Sequence, residues 1–231
     1  MIKKILPYYI KVRLNILKNK IVDFFNGKAF KYAKISDKKI HYIGNIEVNQ
    51  KIKQTETSSA KLKNFEIAIN KIEKIQINPN EIFSFWKTVG SPSKKNGFVE
   101  SRSIVNGKIT PTYGGGLCQL SGIIYHASLY ANLDIIERYN HSSDIYTNET
   151  RFTPLGSDAT VVYGFKDLKI KNNLKKPIKF SFSLKKNHLT IRINSEEIIN
   201  NNNIEFIQSK NGKNEISTYL NGKFLTKSNY K

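Results

Sequence analysis

Three consecutive glycines, Gly114, Gly115 and Gly116, run straight into an apolar pattern of helical period. Leu117, Leu120, Ile124, Ala127 and Ala131 keep steps of three and four, and Tyr125 and Leu129 add apolar surface on another side. A helix that is apolar around most of its girth has to be covered by other elements. The pattern predicts a helix from Leu117 to about Asn132, where asparagine suits the terminating turn.

The cover comes mostly as short alternating segments. Phe83–Trp86, Val99–Val105, Asp134–Tyr139, Ala159–Tyr163, Leu168–Lys171, Ile178–Leu184 and Leu189–Asn194 read as strands. Asn106-Gly107 and Asn221-Gly222 are hairpin turns, and Gly27 and Gly44 read as breakers among short strands in 26–58. A second helix is expected from Ser58 or Ser59 to about Ile72, with Leu62, Phe65, Ile69 and Ile72 as its inner stripe. The expected fold is α+β, a mainly antiparallel sheet around a central buried helix that starts at Gly114-Gly115-Gly116-Leu117-Cys118-Gln119. The expected division is a basic arm over 1–35, an α+β domain over 36–195 and a C-terminal hairpin extension over 196–231.

Charge is unevenly placed. The 231 residues carry a net +20, and residues 1–35 alone hold nine basic groups against one acid. Residues 100–165 hold four basic groups and six acids. In the arm, Ile10, Leu14, Leu17, Ile21 and Phe24 or Phe25 fall at helical steps between Lys and Arg. Two readings fit: a helix lying on an anionic membrane surface through residues 1–25, or one packed on its own domain with a solvated basic face. No nucleic acid is expected as partner, because only five arginines are present and no known nucleic-acid module is visible. The apolar run Ile5–Ile10 is broken by Lys11 and Arg13 and is followed by no small-residue cleavage site. The segment therefore reads as retained, on a protein that is cytoplasmic or associated with a membrane surface. One cysteine excludes an internal disulfide and a Cys-rich zinc finger.

That cysteine, Cys118, falls in the first turn of the predicted helix, directly after the glycines. A helix N-terminus offers free N–H donors and partial positive charge, which favour a thiolate and can hold an oxyanion. The candidate base is His141, since a strand running back from the helix end returns its far end to the helix start. His126 lies about two turns down the same helix, ~12 Å along the axis, too far for a direct bond. His41 and His188 lie in weaker contexts. Asp158 is the candidate to orient His141, with Asp144 as the fallback. The competing structural reading is a small packing cysteine at a helix start. Gly114, Gly115, Gly116, Gln119, Ser121, Arg102 and Arg138 are the candidate substrate contacts. No metal and no cofactor is expected; Cys118, His141 and Asp158 lack the local spacing of a metal site.

The order Asn78-Pro79-x-Glu81-x-Phe83-Ser84-Phe85-Trp86, then Gly114-Gly115-Gly116-Leu117-Cys118-Gln119-Leu120-Ser121, Glu137-Arg138-x-x-His141, Asp158-Ala159-Thr160-Val161 and Asp167-Leu168-Lys169-Ile170-Lys171-Asn172 resembles the VanW family over about residues 25 to 195. The resemblance implies cell-wall biology and glycopeptide resistance. It also implies a cysteine-dependent acyltransferase, L,D-transpeptidase-like, acting on peptidoglycan stem peptide or its precursor, with Cys118 as nucleophile and His141 as base. The rival expectation is a non-catalytic accessory module that binds cell-wall precursor or a membrane partner. A hydrolase of the same residues differs only in water resolving the acyl-enzyme.

Overall fold

The computed structural model describes residues 6–36, 43–53, 55–105, 108–144, 151, 153–209 and 214–230. Among the described residues there are four α-helices: α1 (Tyr8–Phe25), α2 (Ser58–Ile72), α3 (Phe85–Val89) and α4 (Leu117–Tyr130). The strands are β1 (Lys34–Ile35), β2 (Ile43–Lys51), β3 (Ile75–Ile77), β4 (Ile82–Ser84), β5 (Glu100–Val105), β6 (Lys108–Tyr113) and β7 (Asp134–Glu137). They continue with β8 (Lys169–Lys171), β9 (Ile178–Lys185), β10 (His188–Ser195), β11 (Ile204–Gln208), β12 (Glu215–Leu220) and β13 (Lys223–Asn229). They form a five-stranded sheet in the order β1-β3-β9-β10-β2, the sheets β4-β8-β7 and β11-β12-β13, and the hairpin β5-β6. These strand pairings are antiparallel, and the fold is α+β.

α4 is buried at eleven of its residues and packs on β2, β10 and α2. Leu120, Ile123, Ile124 and Tyr125 are fully enclosed. Each such aliphatic side chain contributes about 1.5–3 kcal/mol through burial. α2 meets it through Phe65, Ala68, Ile69 and Ile72, the one-sided stripe its period requires. Asn64, also on α2, is wholly buried yet fully employed. Its amide donates to the carbonyls of Val99 and Gly115 and its oxygen accepts from Val99 N–H, tying the glycine segment to α2.

Two of the motif segments clasp one another. Asn78 N–H and side chain both donate to Glu81 Oε2, and the backbones of Asn80 and Glu81 pair with that of Asn172. The buried Asn172 amide in turn donates to the carbonyls of Ile77 and Lys176. Beside it, Asp167 accepts from Ser84 Oγ and from the N–H groups of Trp86 and Leu168.

Three expectations are corrected. Phe83–Trp86 is not one strand: the chain turns helical at Phe85, because Ser84 Oγ caps α3 by accepting Lys87 N–H. Ala159–Tyr163 forms no strand, since its polar groups go elsewhere. Ser121 Oγ donates to Ala159 O, Thr160 N–H donates to Tyr139 O, and Val162 closes a tight turn with Lys166. Gly44 does not break the chain but lies inside β2, where the register against β10 shifts. Asn106-Gly107 lies outside the described residues, although β5 and β6 pair up to Val105 and Lys108.

Candidate active site

The glycine segment leaves β6 and turns into α4. Gly114 and Gly116 have φ of 78° and 97°, the left-handed region that glycine enters freely. At Gly115 the constraint is space: a Cβ would lie 2.3 Å from the Ser101 carbonyl oxygen. Close packing thus accounts for these glycines, and at the same time it aims the start of α4. Gly116 is the N-cap and gives no side-chain bond; Leu117 N–H donates to Gly114 O and Gln119 N–H to Gly116 O, so the glycine carbonyls take two of the first-turn donors.

Cys118 is the second residue of α4, and its sulfur lies 3.5 Å from Val161 O and 3.9 Å from Thr160 Oγ1. After α4 the chain reverses at Asn132, whose φ is 52°, and β7 runs back toward the helix start. His141 follows β7 and faces the Cys118 thiol closely enough for the two to interact electrostatically. Its Nδ1 lies 2.6 Å from Asp158 Oδ2, and its N–H donates to the same oxygen at 2.7 Å. The structure therefore brings Cys118, His141 and Asp158 together, with His141 hydrogen-bonded to Asp158 and electrostatically coupled to Cys118, and with the His141 side chain 36% exposed.

Asp158 is held on its other side as well. Arg138 donates through Nη2 to Oδ1 at 3.0 Å and through Nε to the Asp158 carbonyl at 2.7 Å, and Tyr230 Oη donates to Oδ1. Burial alone would raise the carboxyl, but the bond from His141 and the Arg138 charge pull it down to about 2. Burial would likewise lower His141, yet its bonds to Asp158 and Cys118 push it up to about 10. For Cys118, burial works upward and is outweighed by the His141 bond and charge, so the thiol falls below its ordinary 9.0. Both shifts run toward a thiolate–imidazolium pair.

The remaining candidates divide. Gln119 donates to Lys51 O, while its Oε1 is buried without a hydrogen-bond partner among the described residues. Arg102 is exposed, and its charge lowers the ammonium of Lys61, which already falls to about 8 through burial. Two expected substrate contacts face the protein instead. Arg138 is 6% exposed and its donors go to Asp158, the Gly156 carbonyl and Ser228 Oγ. Ser121 is wholly buried and donates to the carbonyls of Cys118 and Ala159. The fallback orienter Asp144 pairs with Arg151. His126 is buried between Tyr130 and Phe206, and burial lowers it to about 4. His188 lines a groove with Asn49, Lys51 and Arg151, and the Lys51 carbonyl there accepts from Gln119. His41 lies outside the described residues.

Sequence reasoning missed Tyr230 and Ser228. Both belong to the C-terminal segment around β13, yet they touch Asp158 and Arg138, and Tyr230 Oη also accepts Gly156 N–H at 3.0 Å. Nothing local in the sequence announces this, because the contact is made only by the tertiary fold.

The family of VanW like proteins matches residues 60–194. The uncharacterized protein YoaR of Bacillus subtilis (strain 168) is 28% identical over 170 residues, covering 73% of this chain and 54% of its own length. Vancomycin B-type resistance protein VanW of Enterococcus faecalis (strain ATCC 700802 / V583) is 33% identical over 113 residues, covering 49% of this chain and 41% of its own. The chain thus spans about half the length of these relatives, or less. No solved structure matches it.

Proposed function

The chain belongs to the family of VanW like proteins, and on that premise we propose that it is a cysteine acyltransferase acting on peptidoglycan stem peptide or its precursor. The observation that carries the reading is the grouping of Cys118, His141 and Asp158 at the start of α4, with His141 hydrogen-bonded to Asp158 and coupled to the thiol. One relative's name attaches it to vancomycin resistance, which directs the substrate choice toward cell-wall peptide.

In the proposed reaction the Cys118 thiolate attacks the carbonyl carbon of a stem-peptide amide. The Cys118 N–H, in the first turn of α4, and the positive end of that helix stabilise the oxyanion as the tetrahedral intermediate forms. The His141 imidazolium gives its proton to the departing amine, the C–N bond breaks, and a thioester remains. An acceptor amine then loses a proton to His141 and attacks the thioester, which releases the thiolate. Asp158 keeps the imidazole oriented and its cation stabilised throughout. Gln119 Oε1 is offered to a substrate N–H, and Arg102 to a substrate carboxylate.

Incubation with purified muropeptides, followed by mass spectrometry, tests this. New crosslinked products that disappear with Cys118→Ala are expected. Equal product from Cys118→Ala contradicts the reading, and release of free peptide without crosslinks assigns the same residues to hydrolysis.

A further inference from the structure

α1 has one face against the body and one away from it. Asn15 Nδ2 donates to Gly164 O at 2.6 Å, and a Cβ placed on Gly164 would come within 3.0 Å of Val12 Cγ1 and 3.4 Å of Ile16 Cγ1. Toward one end Tyr8 stacks on Phe165, and toward the other Asp23 accepts the Tyr32 hydroxyl and faces the Lys169 ammonium. These contacts fix the rotation of α1 about its axis.

At 3.6 residues per turn, the side opposite Val12, Asn15, Ile16 and Asp23 is Leu14, Leu17, Ile21, Phe24 and Phe25. Those five are 52, 54, 48, 57 and 82% exposed. The same geometry puts Arg13 and Lys20 along one edge of the stripe and Lys11 and Lys18 along the other. The acid of α1, Asp23, is turned inward. Beyond the helix, Phe30 is 77% exposed beside Phe24, and Lys28 and Lys31 continue the basic rim.

An apolar stripe outlined by cations selects among occupants. A second copy would press two basic rims together on a chain of net +20. A nucleic acid would bring phosphate to the rim but leave five apolar side chains between the cations and the duplex. An anionic bilayer surface satisfies both parts, with apolar side chains entering the headgroup–acyl boundary and Lys and Arg reaching the phosphates. No helix among the described residues is long and apolar enough to cross a membrane, so the geometry is that of a helix lying in the interface.

We propose that the outward face of α1 is a docking surface for an anionic membrane. The turn that receives α1, closed between Val162 and Lys166, directly follows Thr160 and Val161, which touch the Cys118 sulfur. Docking therefore fastens the membrane to the loop that lines the thiol. The proposal stands independently of whether Cys118 forms a thioester.

Vesicle flotation with the full chain tests it, using phosphatidylcholine vesicles with and without about one part in three of phosphatidylglycerol. The chain is expected to float with the anionic vesicles and to stay behind with the neutral ones. Leu17→Asn with Phe24→Asn should weaken flotation about tenfold or more. Lys18→Gln with Lys20→Gln should weaken it about fivefold per lysine removed. Should the first pair disturb the circular dichroism, Leu14→Asn with Phe25→Asn gives the same reading from two other outward positions. Unchanged flotation of the apolar variants, equal flotation with neutral vesicles, tighter binding to a DNA duplex, or self-association abolished by the same substitutions each overturns the proposal.

Discussion

Asp158 and Asp167 bracket one segment of the chain, are both largely enclosed, and have their carboxyls shifted in opposite directions. Asp158 faces an imidazole, a guanidinium and a phenol, and is held at about 2. Asp167 accepts bonds from Ser84 and from two backbone N–H groups, yet burial prevails, the Glu137 charge adds to it, and the carboxyl rises to about 6. Neutral donors satisfy a buried carboxylate without offsetting the whole of its desolvation, whereas cationic partners do both. Asp158 can therefore hold an imidazolium, and Asp167 is a clasp that fastens the start of α3 to β8.

The largest break in this contrast comes from Asp158→Asn. It removes the charge that holds His141 protonated, and acyl transfer should fall on the order of 10³–10⁴-fold, measured as crosslinked product per unit time. An unaffected rate removes Asp158 from the mechanism. Asp167→Asn should do the reverse and leave the reaction intact, because Asn can accept both N–H groups and donate to Ser84 Oγ. Its stability effect has a definite sign. The folded carboxyl is raised, so its contribution is present below 3.8 and is lost as pH climbs through about 6. The variant should gain on the order of 1–3 kcal/mol relative to the parent across that window, read as a diverging pair of melting curves. Parallel curves contradict the assignment.

Tyr230→Phe sharpens the Asp158 side. It deletes one donor to Oδ1 and leaves Gly156 N–H without its acceptor, at a cost of about 1–3 kcal/mol in urea denaturation. A C-terminal segment with no tie to the site would show no such loss. The smallest effect belongs to His126→Leu. His126 is kept neutral by burial and packs against the rings of Tyr130 and Phe206, so the variant should leave the Cys118 alkylation rate unchanged and shift stability by under about 1.5 kcal/mol.

The site was more legible in the sequence than its supports were. Glycines before a cysteine at a helix start, with a histidine beyond a returning strand, mark the candidate site locally, and Asp158 was picked out as the acid preceding Ala159-Thr160-Val161, a segment that turned out to be no strand. Arg138 was misplaced because a charged residue at a strand end carries no sign of whether its donors turn outward or toward a carboxylate. Tyr230 and Asn64 were missed because their roles exist only in tertiary contact. At Ala159–Tyr163 the alternation was real, but carbonyls taken by Ser121 and the Cys118 thiol left nothing for a neighbouring strand. Ser84 was the overlooked signal, a helix cap read as a strand residue.

Because the chain has a single cysteine, the rate of alkylation by iodoacetamide against pH reports Cys118 alone. If the thiolate is held by His141, the inflection lies clearly below the ordinary 9.0 and moves back toward it in His141→Ala. An inflection at or above 9.0 in the unaltered protein, or the same inflection in both, contradicts the thiolate–imidazolium pair on which the site depends.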